Sequence, residues 1–137
     1  MNGFHSILIV DDNWDDQEKV MRLFKRTLTG LSKCSITIVR ASSFTEAKKH
    51  LSNQEFTIIT IAGEFRGFIN TIPGYALIPL IKEHQHQNPK IIMIDNEELL
   101  IRYGLKNGVD LAFQKQTIEG DVKLDEHFKL ISILQPA

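Results

Sequence analysis

Residues 5–10 hold an unbroken apolar run, Ile7-Leu8-Ile9-Val10, that ends abruptly in two acids, Asp11 and Asp12. A short apolar run bounded by charge predicts a strand covered on both faces. Over 15–29 the period lengthens to that of a helix, with Val20, Leu23, Phe24 and Leu28 on one face and Gly30 as the stop. Residues 35–40 predict a second strand. Ser42 or Ser43 then caps a helix that carries Phe44, Ala47 and Leu51 inward, with Glu46 placed to complete a capping box from Ser43. Residues 56–62, nearly all apolar and rich in isoleucine, predict the third strand.

A loop follows, with glycines at 63 and 67, and then a third helix over roughly 74–86 with Leu77, Ile78 and Ile81 inward. Pro79 lies inside that pattern and predicts a kink or a late helix start. Residues 90–94 predict a fourth strand, 97–107 a fourth helix closed by Gly108, and 109–113 a fifth, shorter strand. Over 124–134, Phe128, Ile131 and Leu134 share one face of a last helix. Five strands alternating with five helices predict an α/β fold on a parallel sheet, in a single domain over 1–137.

Composition supports one ordinary globular domain: 137 residues, 42% hydrophobic and 24% charged. Sixteen basic against seventeen acidic residues leave a net charge of -1, which gives no global field toward nucleic acid or an anionic membrane. Cys34 is the one cysteine, so an internal disulfide and a thiolate zinc cluster are both excluded, and a reducing cytoplasm is the expected setting. No basic start with a long apolar core opens the chain, and no run approaches the roughly 20 apolar residues that span a bilayer. A soluble cytoplasmic protein is expected, with neither nucleic acid nor membrane as partner.

In an open parallel sheet the ligand crevice lies beyond the carboxyl ends of the strands. The residues just after each strand are therefore the candidates for chemistry: Asp11 and Asp12, then Ala62 and Gly63, then Asp95 and Asn96, then Lys115. Two carboxylates closing a buried strand suggest a cation site, yet the third strand ends in a methyl group. An acid in such a place can also cap the following helix, a role open to Asp12, as it is to Asn13.

Four stretches, in order and at compatible spacing, resemble the receiver domain of two-component response regulators over about 6–134. They are the acidic pair Asp11-Asp12, the second-helix segment with Ala47 and Leu51, the glycine-led Gly74-Tyr75-Ala76-Leu77-Ile78-Pro79-Leu80-Ile81-Lys82, and Gly108-Val109-Asp110-Leu111-Ala112-Phe113-Gln114-Lys115. The resemblance implies a doubly wound, flavodoxin-like α/β fold, with a five-stranded parallel sheet in the order 2-1-3-4-5 and five helices on both faces. It also implies that Lys115 is the counterpart of the family's active-site lysine.

The departures from that family decide the expected function. The phosphoacceptor aspartate falls on Ala62, and an alanine cannot form an acyl phosphate. The hydroxyl residue that senses the phosphoryl group falls on Asp95, the switch aromatic falls on Ala112, and the proline after the lysine falls on Gln116, which removes the main support for a cis peptide. The loop between Ala62 and Gly74 is also several residues longer than the family's. Phosphoryl transfer needs a nucleophile, a magnesium ion and a lysine to offset charge on the transferring oxygens. With the nucleophile absent and two family carboxylates remaining, no cofactor is expected, and magnesium at Asp11 and Asp12 would be held weakly. Asp11, Asp12, Asp95 and Lys115 are read as a vestigial pocket in which Lys115 pairs with Asp95 or Asp12. An altered cation site formed by Asp11, Asp12 and Asp95 is the alternative.

The expected role is a receiver-like signalling domain, not an enzyme, that is not phosphorylated and works through protein contacts in a two-component or related pathway. No helix-turn-helix or catalytic region is read in the chain, so a partner must carry any effect. That partner is a histidine kinase, a phosphotransfer or output protein, or a second copy docked through the fourth helix, fifth strand and last helix, with Leu100, Tyr103 and Phe113 at the interface. Leu99, Leu100, Ile101 and Tyr103 make the fourth helix more apolar than one buried face requires. Trp14 either covers the acidic site, the reading favoured, or offers a contact surface; Glu64, Phe65, Arg66 and Phe68 cover the acceptor pocket or meet a partner. Two rivals remain. A haloacid-dehalogenase-type phosphatase would place a nucleophile at Asp11 and an acid two residues on, where this chain has Asn13. A nucleotide or small-ligand module would want a glycine-rich loop after the first strand, where Asp11, Asp12, Asp15 and Asp16 stand instead.

Overall fold

The computed structural model describes residues 3–29, 34–66 and 71–114. In chain order the elements are β1 (Gly3–Val10), α1 (Trp14–Thr29), β2 (Cys34–Ala41), α2 (Phe44–Asn53), β3 (Ile58–Ala62), β4 (Glu64–Arg66), β5 (Thr71–Pro73), a 3-10 turn (Gly74–Leu77), α3 (Ile78–His84), β6 (Lys90–Ile94), α4 (Glu98–Lys106) and β7 (Leu111–Phe113). β2, β1, β3, β6 and β7 pair in that order as one parallel sheet. With the small hairpin β4–β5 set aside, this is the expected order 2-1-3-4-5. The helices described number four; the helix expected over 124–134 lies outside the described residues.

The strands form where β-branched residues are dense, and alternate side chains enter two separate cores. Leu8, Val10, Ile59, Ile61 and Met93 pack with Ala47 and Leu51 of α2 and Ile78 and Ile81 of α3. Ile7, Ile9, Ile58, Ile92 and Ile94 pack with Val20, Leu23 and Phe24 of α1 on the opposite face. Phe113 belongs to this second core and is 4% exposed, which corrects its assignment to an interface. The pleat explains the correction: Phe113 pairs with Ile94 and turns the same way, toward α1.

Caps set the helix starts. The Asn13 side chain accepts from the Asp16 amide at 3.1 Å at the start of α1. Ser43 Oγ accepts from the Glu46 amide at 3.1 Å, but the return bond of the expected box runs from the Ser42 amide to Glu46, at 2.8 Å. Pro79 resolves as a late start: Gly74–Leu77 is a 3-10 turn, and Pro79 occupies the first turn of α3, where its missing N–H costs nothing. The long loop after β3 is a hairpin, with Phe65 opposite Ile72. Its strands are three residues each and one contains a proline, so they fall below the strand signal in sequence.

Candidate functional site

β1, β3 and β6 finish side by side, because Val10 pairs with Ile61 and Ala62 with Ile94. Asp11, Ala62 with Gly63, and Asp95 therefore meet along the carboxyl edge of the sheet. Asp11 is 4% exposed, its amide continues the ladder to Ala41 at 3.1 Å, and its Oδ1 accepts from the Asn13 amide at 2.9 Å. That bond makes Asp11 the pivot of the turn into α1, and Asn13 supplies a cap. Asp12 is exposed.

The end of β3 carries no nucleophile. Ala62 is 2% exposed and its methyl belongs to the core on the α2–α3 side. Asp95 closes the site from β6. It is 9% exposed, its Oδ2 accepts from the Gly63 amide at 2.9 Å, and its Oδ1 accepts from the Glu97 amide at 2.8 Å. Such charge-assisted bonds to backbone offset the cost of burying a carboxylate. Gly63 is required by that approach: a Cβ there would stand 2.6 Å from Asp95 Cγ. The Gly63 carbonyl in turn accepts from the Gly74 amide at 2.7 Å, closing the base of the hairpin, and a Cβ on Gly74 would collide with the Ala62 carbonyl oxygen.

Both Asp95 oxygens thus face backbone donors, one on each oxygen. Among the described residues no three His, Cys, Asp or Glu side chains gather as metal ligands. Lys115 and Gln116 lie outside the described residues, and with them the expected pairing of Lys115. Ala112, expected at the family's switch position, is half-buried against the α2–α3 core.

A polar cluster beside the acids escaped the sequence reading. Gln17 is fully buried; its amide nitrogen donates to the Asp11 carbonyl, to Ala41 O at 3.2 Å and to Ser42 Oγ at 3.2 Å, while its Oε1 accepts from Arg40 Nε at 2.7 Å. Arg40 also bonds Glu18 at 2.8 Å and lies 3.2 Å above the Trp14 ring centroid. The guanidinium's hydrogen bond, followed in order by the opposing effect of desolvation and then by its charge, holds the Glu18 carboxyl below its ordinary range. The favoured role for Trp14, covering the acidic site, gives way to this stack: its ring meets Arg40 and remains 59% exposed. One sequence signal for the cluster existed, since Gln17 falls three residues before Val20 on the inward face of α1.

On α4, Leu99 and Leu105 are exposed, Tyr103 is 44% exposed and Leu100 half-buried. Gly104 alone is buried, and Tyr103 meets the ring of Tyr75 edge-on at 6.2 Å. Phe65 of the hairpin is 1% exposed and packs on Phe44, so it faces the core and not a partner; Glu64 is exposed, and Phe68 lies outside the described residues. No described helix is long and apolar enough to cross a membrane.

No family model and no curated protein matches the chain. Solved structures do. The receiver domain of NtrX from Brucella abortus superposes with a TM-score of 0.70 at 18% identity, covering 96% of this chain and 99% of that one. A two-component response regulator from Clostridium difficile gives 0.69 at 20%, covering 95% of each chain. A response regulator from Burkholderia pseudomallei, solved with a phosphorylated aspartic acid, a calcium ion and citrate, gives 0.62 at 19%; the match covers 96% of this chain and 66% of that longer one. The fold of this chain, sheet order included, is that of response regulator receiver domains.

Proposed function

We propose that the chain is a receiver-like signalling domain that is not switched by aspartyl phosphorylation and that acts through protein contacts in a two-component or related regulatory pathway. One observation carries this reading: the end of β3, where acyl phosphate chemistry would need a carboxylate, holds the buried methyl of Ala62, and the neighbouring Asp95 is already bonded to backbone. The Burkholderia protein holds a phosphorylated aspartic acid and a calcium ion. Here a phosphoryl group would have no oxygen at position 62 to join, and would meet a carboxylate across the strand gap. On this reading the domain is not an enzyme, and magnesium at Asp11 and Asp12 is not required for its fold.

The contact surface we favour is α4, whose Leu99, Tyr103 and Leu105 face outward. The partner is a histidine kinase, a phosphotransfer or output protein, or a second copy of this chain. Incubation with acetyl phosphate and magnesium, followed by intact-mass analysis, tests the first half: no phosphoryl adduct should form, and an acid-stable mass with a hydroxylamine-sensitive adduct on Asp11 or Asp12 overturns it. Sedimentation over a concentration series, comparing the wild type with Leu99→Ser, tests the homodimer branch.

A further inference from the structure

The Asp95 carboxylate sits where two backbone donors from different parts of the chain converge. The Gly63 amide belongs to the end of β3 and the hairpin base; the Glu97 amide belongs to the turn that starts α4. Two N–H groups, each aimed at one oxygen of the same carboxylate, make a cradle for an anion, and here the chain supplies the anion itself. α4 has no side-chain cap from Glu97 and Gly104 is its one fully buried residue, so the bond from the Glu97 amide to Asp95 is a polar tie at the start of its first turn. The other oxygen, on Gly63, ties that turn to β3 and, through Gly74, to the start of the 3-10 turn whose Tyr75 meets Tyr103 of α4.

We infer that Asp95 is a built-in anionic latch: its carboxylate occupies in cis the anion site between β3 and β6 and thereby holds α4 in one position. The inference deepens the proposed function, because it names what sets the state of the α4 face in place of a phosphoryl group. The site accordingly takes no anion from solution in the wild type, and becomes a site for a small carboxylate when residue 95 loses its own.

Amide hydrogen exchange of the full chain tests the latch, with Asp95→Ala and the isosteric Asp95→Asn as variants. In Asp95→Ala, exchange at Gly63 and Glu97 should speed up by about tenfold or more relative to the wild type, while the Asn13 amide, bonded to Asp11, stays unchanged. Sodium formate should slow exchange at both amides in Asp95→Ala and leave the wild type unaffected, with sodium chloride at equal ionic strength as control. If Asp95→Ala does not fold, Asp95→Asn decides, since its amide can serve one donor but not both: one of the two sites should lose protection. Unchanged exchange at both sites, or an acceleration spread evenly over the molecule, overturns the latch. A phosphoryl adduct on the wild type would overturn the proposed function and leave this exchange result standing, so the two can fail separately.

Discussion

α2 and α4 pack toward the same side of the sheet and are nearly equal in length, yet they use their apolar residues in opposite ways. α2, ten residues long, is capped by the Ser43 side chain and buries Ala47 and Leu51 almost completely. α4, nine residues long, has no side-chain cap from its own N-cap residue, buries Gly104, and turns Leu99 and Leu105 to solvent at 56% and 49% exposure. The difference teaches that the apolar content of a helix does not measure how tightly it is held. In α2 the large side chains stabilise the fold, whereas in α4 they remain available for another surface.

The sharpest way to break the comparison is to truncate one leucine from each helix. Leu51→Ala should cost about 3 kcal/mol, because the side chain is fully enclosed and leaves a cavity between α2, β3 and α3. Leu99→Ser should change stability by no more than about 0.5 kcal/mol. Urea denaturation at constant m-value reads both, and comparable losses would mean that α4 is a core helix after all. Caps give a smaller contrast. Ser43→Ala should cost about 1 kcal/mol and fray the first turn of α2. Glu97→Ala at the start of α4 should be close to neutral, since no side-chain bond is lost there. Helical circular dichroism during thermal melting would register the first and not the second.

The same contrast marks how far the sequence could be read. Period and β-branching were enough for every strand of the main sheet and for the inward faces of α2, α3 and, through Val20, Leu23 and Phe24, α1, because those residues answer to one rule, burial on a fixed spacing. The exposure of α4 was also legible, as an excess of apolar residues over what one face can bury. Phe113 was misplaced because a short edge strand does not reveal from sequence which way its pleat turns. The hairpin was missed because each strand is three residues long, and the Gln17–Arg40–Trp14 cluster because Arg40 lies far from the other two in the chain and joins them through a hydrogen bond and a ring stack, which have no period. At the site, the methyl of Ala62 was legible at the end of β3, but the two backbone bonds of Asp95 depend on how β3 and α4 approach each other, and no local pattern encodes that.

The smallest effect compares the charges next to the two helices. Arg40, just before α2, has a side chain 17% exposed and grips Glu18, whereas Arg102 and Glu98 of α4 are both 71% exposed. Glu18 ordinarily titrates near 4.5 and is held lower in the fold, chiefly by the Arg40 hydrogen bond. A carboxylate whose pKa is lowered by folding stabilises the protein fully above its unfolded value, and that contribution disappears as the pH falls through the folded one. Glu18→Gln should therefore be slightly less stable than the wild type at pH 7, and the gap should close as the pH drops from above 4.5 to well below it. Glu98→Gln should leave stability at pH 7 unchanged within error, because an ion pair that open to water is screened and gains little from its geometry. Denaturation midpoints of the three proteins across that pH range decide the matter: no gap for Glu18→Gln at any pH would show that Arg40 is held by Gln17 and Trp14 without any help from the carboxylate.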